Sequence, residues 1–218
     1  MKPSVGHTMR EAMRGKTLAR ILTNAALEDA LRSLSGSVLD IAGGKKPSYL
    51  PLLAQTAVCT RSDLQASDGV VAIDFNASLP FPDAAFDAAL LINALYIAED
   101  PATLAAEVSR ILKPGGRWII VSPFIANEMQ EPHDYLRFSA EGLERLCVRA
   151  GFQQIAITRI GERASAATHI MQPFFLFNII RAPFFVLALL LDRAIPKSVR
   201  AQHPTPLSYL VECTKPST

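Results

Sequence analysis

Asp40 closes a short apolar run, Val38, Leu39 and Ile41, and is followed almost at once by Gly43 and Gly44. A carboxylate at the end of a buried strand, with glycines just beyond it, marks a place where backbone passes close to a ligand. A dinucleotide site wants Gly-x-Gly-x-x-Gly opening a helix, so that a pyrophosphate rests on free N–H groups. Here Lys45, Lys46 and Pro47 stand where the third glycine would be, and a carboxylate inside the turn repels phosphate. A ligand carrying an ammonium group, a ribose and a sulfonium fits better, and S-adenosylmethionine has all three. A second acid, Asp63, stands about twenty residues further on, where nucleotide-binding βαβ units place the carboxylate that accepts from ribose hydroxyls. The alternative at that position is an ordinary turn residue at a strand end.

Residues 40–46 resemble the Asp-x-Gly-x-Gly-x-Gly signature of class I S-adenosylmethionine-dependent methyltransferases, with Ala42 in place of the first glycine and Lys46 in place of the last. The resemblance continues through 74–87, a stretch containing Leu79-Pro-Phe-Pro-Asp-Ala-Ala-Phe-Asp, and through Arg110-Ile-Leu-Lys-Pro-Gly-Gly-Arg-Trp-Ile-Ile-Val. It implies that Asp40, Ala42, Gly43, Gly44 and Asn93 surround the cofactor, that Asp63 takes its ribose, and that Asp74 and Phe75 meet its adenine. Residues 131–139 are similar to a methyltransferase type 11-like branch of bacterial enzymes with a His/Pro-x-Asp-Tyr-x-Arg-Phe-Thr pattern, associated with surface polysaccharide or lipid modification. His133 is the candidate catalytic base, because imidazole titrates near neutral pH. Asp134, Tyr135 and Arg137 alternatively form a network that fixes this loop, with Ser139 capping the next helix. Tyr96, Tyr135 and Arg137 are the candidate acceptor-binding residues, and no metal-ligand set is present. The fourth strand delivers Asn93-Ala-Leu-Tyr96, lacking the Asp/Asn-Pro-Pro-Tyr/Phe of amide and nucleobase methyltransferases, and Ile97 occupies the place of the His of many small-molecule members. Oxygen or carbon is therefore the expected acceptor atom rather than nitrogen.

The elements that must position these residues follow the same resemblance. It implies an α/β, Rossmann-like, doubly wound seven-stranded sheet of order 3-2-1-4-5-7-6 with the last strand antiparallel. Strands are expected at 37–41, 57–61, 69–73, 88–92, 117–122, 152–160 and 209–214. Helices are expected over 8–34, at 49–55, from Pro101 under an Asp100 cap, and up to Gly151. One domain results, with an N-terminal helical cap (1–35), a cofactor-binding core (36–160), an apolar insertion (161–207), and the last strand and tail (208–218). Cys59, Cys147 and Cys213 lack metal or redox spacing and read as buried thiols in a reducing compartment. A formal net charge of +2 gives no argument for a nucleic-acid partner.

Mean hydropathy of +0.21 is high for a soluble enzyme, and the apolar excess gathers in 170–191. That run approaches the roughly 20 residues that span a bilayer. A single crossing would put the last strand on the wrong side of the membrane, and Pro173, Arg181 and Pro183 divide the run into two pieces of about ten residues, each about 15 Å long as helix. Three readings stand open: an interfacial membrane contact with Arg181, Arg193, Lys197 and Arg200 as headgroup partners, a homodimer interface, or a lid over an apolar substrate. Lys2, Arg10, Arg14, Lys16 and Arg20 against Glu11 are either a solvated face or further headgroup contacts. The first twenty residues lack the apolar core of a signal peptide, so the expected location is cytoplasmic, peripheral on the inner face of the membrane. The expected activity is methyl transfer to a small-molecule, apolar or lipid-linked acceptor. The alternative is an inactive methyltransferase-like domain acting as a membrane-associated assembly subunit, and a dinucleotide oxidoreductase is disfavoured by the missing glycine.

Overall fold

The computed structural model describes residues 3–129 and 132–217; Lys2 of the basic N-terminal run and Glu131 of the 131–139 loop lie outside them. Seven strands form one sheet: β1 (Gly36–Asp40), β2 (Ala57–Asp63), β3 (Val70–Ala72), β4 (Phe86–Ile92), β5 (Leu112–Pro123), β6 (Gln153–Ile160) and β7 (Ser208–Thr214). Their order is β3-β2-β1-β4-β5-β7-β6, as the resemblance implies. β7 runs antiparallel to both β5 and β6, and the remaining pairs are parallel.

Successive residues on a strand face opposite sides of the sheet, and both sides are covered here. Leu39, Leu91 and Ile120 pack under α3 (Pro101–Ile111) and α4 (Ala140–Arg149), which bury Leu104, Val108, Leu143 and Leu146. Their neighbours Val38, Leu90 and Val121 face α2 (Leu18–Arg32) and α6 (Asn178–Ala194), which bury Ile21, Leu27, Leu31 and Phe185. The Asp100 carboxylate caps α3 by accepting from the N–H groups of Ala102 and Thr103, with Pro101 in the first turn where no N–H is needed. The N-terminal region is two helices, α1 (Val5–Met13) and α2, and Thr17 caps the second by accepting from the Arg20 N–H.

Three expectations need correction. The helix placed at 49–55 is only a 3-10 turn, Leu50–Leu52, with Pro51 in its first turn and the chain already extended at Leu53. β5 begins at Leu112 instead of at 117, so the Lys113-Pro-Gly-Gly stretch is carried into the strand. The two short helices expected over 170–191 are instead a 3-10 turn (Gln172–Phe174) and one 17-residue helix, α6. Pro183 falls in the second turn of α6, where it forfeits one bond to the Ile179 carbonyl, and the break falls earlier, before Asn178. At about 1.5 Å per residue α6 is about 25 Å long. Among the described residues no helix is long and apolar enough to cross a membrane.

α5 (Arg163–Ile170) and α7 (Lys197–Gln202) flank α6. Asp192 of α6 is buried, and its carboxylate accepts from the Ala164 N–H (2.8 Å), the Ser165 N–H (3.2 Å) and the Ser165 hydroxyl (2.6 Å), fixing the first turn of α5. α1 lies along α6: the Asn178 side-chain amide donates to the Met13 carbonyl (3.1 Å) at one end, and Arg193 donates to the Pro3 carbonyl (2.8 Å) at the other.

Candidate active site

In parallel strands the register decides which side chains share an edge. Asp40 lies opposite Arg61 on β2 and Leu90 on β4, and Asp63 opposite Ala72 on β3, so Asp40, Asp63, Asp74 and Asn93 all sit at the carboxyl edge of the sheet. Two clefts open there. One, of about 340 Å³, is lined by Thr17, Arg20 and Asn24 of α2 and by Gly43, Lys46 and Asn93, with Ala42 also on its wall. The other, of about 730 Å³, is lined by Asp63, Asp74, Phe75, Ile97 and His133. They meet at the glycine pair. Gly43 borders the first cleft, and a Cβ on Gly44 would stand 3.0 Å from Asp63 Oδ2 at the edge of the second. Gly44 also has φ +54°, which side chains rarely adopt.

Asp40 does not face the crevice, as the sequence suggests it would. Its side chain turns beneath the glycine turn, fully buried, with Tyr49 Oη 3.0 and 2.9 Å from its two carboxylate oxygens. Ser62 Oγ donates to the Asp40 and Ile41 carbonyls (3.2 and 3.0 Å), and the Gly43 N–H donates to the Ser62 carbonyl (3.0 Å). Arg61 adds contacts from its guanidinium to the Gly44 and Lys45 carbonyls. Asp40 thus anchors the turn from below while Gly43 presents backbone to the ligand side. Burial pushes its carboxyl up to about 7, opposed by the bonds from Tyr49 and the Ala42 N–H.

The sign of this shift predicts a pH effect. A carboxyl raised from about 4 to about 7 on folding contributes stability that is complete below about pH 4 and is lost as pH rises through about 7. Tyr49→Phe removes a donor that favours the ionised form. Its cost in urea denaturation is expected to be about 2 kcal/mol at about pH 8 and smaller at about pH 5. Equal losses at the two pH values would mean that the bond does not discriminate between the protonation states.

Asp63 accepts from the N–H of Leu64 (2.8 Å) through one oxygen, and Asp74 from that of Asn76 (2.8 Å), so each keeps a second oxygen toward the cleft. Phe75 is buried behind them. Asn93 directly follows β4 with φ +56°, a strained conformation that asparagine tolerates better than most residues and that is frequent at ligand sites. Its N–H bonds to the Val121 carbonyl at 2.8 Å, so the strain is held by the sheet.

The loop after β5 divides its residues between two tasks. Asp134 and Arg137 form a paired ion bridge, with Arg137 Nη2 2.6 Å from Asp134 Oδ2, and Asp134 also accepts from the Met129 N–H at 2.8 Å. The guanidinium holds the Asp134 carboxyl below the usual carboxylate range. Arg137 also lies 5.3 Å from the centre of the Tyr96 ring, and the Tyr135 N–H donates to the Tyr96 carbonyl at 2.9 Å. Arg137 and Tyr96 therefore fasten the loop to the end of β4. His133, stacked on exposed Tyr135 at 5.2 Å, is the imidazole that enters the larger cleft. It opens toward Asp63 and Asp74, not toward Asn93.

Four contributors went unread in the sequence. Tyr49 holds Asp40 from nine positions away; its signal was a lone aromatic between Pro47 and Pro51. Arg20 and Asn24 reach the smaller cleft from α2, and Asn24 is tied to the loop by reciprocal bonds with Ser48 at 3.2 Å. Their four-residue spacing puts them on one helix face. Lys46, read only as a departure from the glycine pattern, gives the same cleft a second cation.

Residues 51–120 match a family model described as a methyltransferase domain. An O-methyltransferase, cnsE of Penicillium expansum, is 36% identical over 96 residues, which is 38% of this chain and 34% of that protein. The matched stretch thus spans about a third of that relative's length. Among solved structures, a SAM-dependent methyltransferase from Archaeoglobus fulgidus superposes with a TM-score of 0.59 at 17% identity, covering 94% of this chain and 97% of that one. The [4+2]-cyclase SpnF superposes at 0.57 and 19% identity, covering 91% and 82%. The core has the class I methyltransferase fold. The cyclase shows that this fold alone does not fix the reaction.

Proposed function

We propose that this chain, whose core has the class I S-adenosylmethionine-dependent methyltransferase fold, transfers a methyl group to a hydroxyl of a small, apolar or lipid-linked acceptor. One observation carries the reading. Two clefts meet across a side-chain-free glycine pair, one offering two carboxylates beside a buried aromatic and the other offering cations from Arg20 and Lys46. That pattern complements a nucleoside joined to an amino acid: Asp63 for the ribose hydroxyls, Asp74 and Phe75 for the adenine, and Arg20 and Lys46 for the α-carboxylate. A phosphate-bearing dinucleotide would instead meet carboxylates. The oxygen preference draws on the O-methyltransferase relative and on the absence of a Pro-Pro motif after β4.

When bound, S-adenosylmethionine supplies a methyl carbon on a sulfonium leaving group. The protein's part is to hold the acceptor oxygen in line, to keep water out, and to take up the hydroxyl proton. Tyr96 and the Asp134–Arg137 bridge hold the loop that closes one side of the site, and His133 on that loop is the proposed proton acceptor. His133→Ala is expected to lower kcat about 100-fold, with little change in cofactor affinity. Unchanged turnover would remove the base assignment.

The acceptor class is tested by incubating the protein with methyl-labelled S-adenosylmethionine and separate lipid and aqueous extracts. Label is expected in a lipid-soluble product that keeps it as an O-methyl group. Label confined to polar or nitrogen acceptors would contradict the proposed acceptor.

A further inference from the structure

A surface helix normally turns its apolar stripe inward and its charges outward. α6 is apolar on both sides. Ala182, Phe185 and Leu189 are buried against α1 and α2, yet Ile179, Phe184, Leu187 and Leu191 on the outer side are exposed. The segment leading into α6 extends this surface, with Phe174 80%, Leu176 81% and Phe177 63% exposed, and Met9 and Met13 of α1 lie beside it. Ordinary solvation does not account for an apolar surface that is continuous over a helix, its leading turn and a neighbouring helix.

The surrounding charge indicates what covers it. From Pro3 to Lys16 and from Arg163 to Gln202 the carboxylates are Glu11 and Asp192, each 5% exposed and each occupied within the fold. Asp192 caps α5, and Glu11 is surrounded by Arg10, Arg14 and Lys16. The cations are more exposed. Arg10 and Arg14 side chains are 62% and 65% exposed beside the α6 N-terminus, and Arg193, Lys197 and Arg200 follow at its C-terminal end. A second copy of this chain would bring the same cations against each other. An apolar face rimmed by cations complements an acyl layer bordered by anionic headgroups.

We infer that α6 and the turn before it form an interfacial docking surface for an anionic lipid bilayer, lying in the headgroup–acyl boundary without crossing it. The placement has a consequence for the site. A Cβ on Gly15 would lie 3.7 Å from Arg181 Nη2 and 3.8 Å from the Asn178 amide of α6, and the next residues, Thr17 and Arg20, line the smaller cleft. The docked surface therefore adjoins one wall of the smaller cleft.

Flotation of the purified full chain with phosphatidylcholine vesicles carrying about one-third phosphatidylglycerol tests this without any cofactor, so it is independent of the methyl-transfer reading. The protein is expected to float with these vesicles, and to do so far less with pure phosphatidylcholine or in about 1 M salt. Leu176→Ser, Phe177→Ser and Ile179→Ser together change only exposed positions and are expected to lower binding at least about tenfold while leaving the unfolding midpoint unchanged. Arg10→Ala is expected to weaken binding about fivefold. A folded protein that stays at the bottom of the gradient overturns the inference. So does a dimer in sedimentation velocity that the serine variant dissociates while neither protein floats.

Discussion

Gly43→Ala is expected to abolish cofactor binding and to lower the unfolding free energy by about 3 kcal/mol, a large effect for one methyl group. The added Cβ would stand 2.3 Å from Asp40 Oδ2 and 2.5 Å from its Cγ. Asp40 has nowhere to move: it is fully buried, and Tyr49 holds both of its oxygens. The turn itself must lift. Its N–H bond to the Ser62 carbonyl would be lost, and the Gly43–Gly44 backbone displaced from the junction of the two clefts. Urea denaturation reads the first effect and calorimetric titration with S-adenosylmethionine the second. An alanine variant that is as stable as the wild type and binds as well would show that the turn is not the tight element this geometry describes.

Asp63→Ala should have the opposite profile, with a large binding loss and almost none in stability. Among the described residues the Asp63 carboxylate bonds only to the adjacent Leu64 N–H, so little of the fold depends on it. Two hydroxyl donors of a ribose meeting one carboxylate make charge-assisted bonds, and losing both is expected to weaken affinity about 100-fold. Asp63→Asn should recover part of that, because its amide oxygen still accepts. The unfolding free energy is expected to change by less than about 0.5 kcal/mol. A binding loss matched by an equal stability loss would make Asp63 a structural turn residue.

The parallel strands were legible because their signal is local: short β-branched and leucine-rich runs ending in Asp40, Asp63 and Asn93 need no distant contact to be recognised. Asp100 with Pro101 likewise marked a helix start through chemistry confined to one turn. What the sequence hid depends on residues meeting in space. Asp40 looked like a ligand-facing acid because its partner, Tyr49, reaches it only after the chain has turned back through Pro47. The 170–191 stretch looked broken at Pro183 because proline is disfavoured within helices. One missing bond near the start of a helix is offset, however, by burial of Phe185 and Leu189 against α1 and α2. The role of α2 in the smaller cleft was hidden for a related reason, since Arg20 reads as a solvated face or a headgroup contact, and Asn24 carries no signal of its own, until the glycine turn is placed beside them.

Calorimetric titration of the full chain with S-adenosylmethionine and S-adenosylhomocysteine, with NADH as control and Asp63→Ala in parallel, tests the central claim most directly. Dissociation constants on the order of micromolar are expected for both sulfur ligands, with about 100-fold weaker binding of both by the variant and no heat with NADH. A well-folded protein that binds neither sulfur ligand, or one that binds NADH in their place, would contradict it.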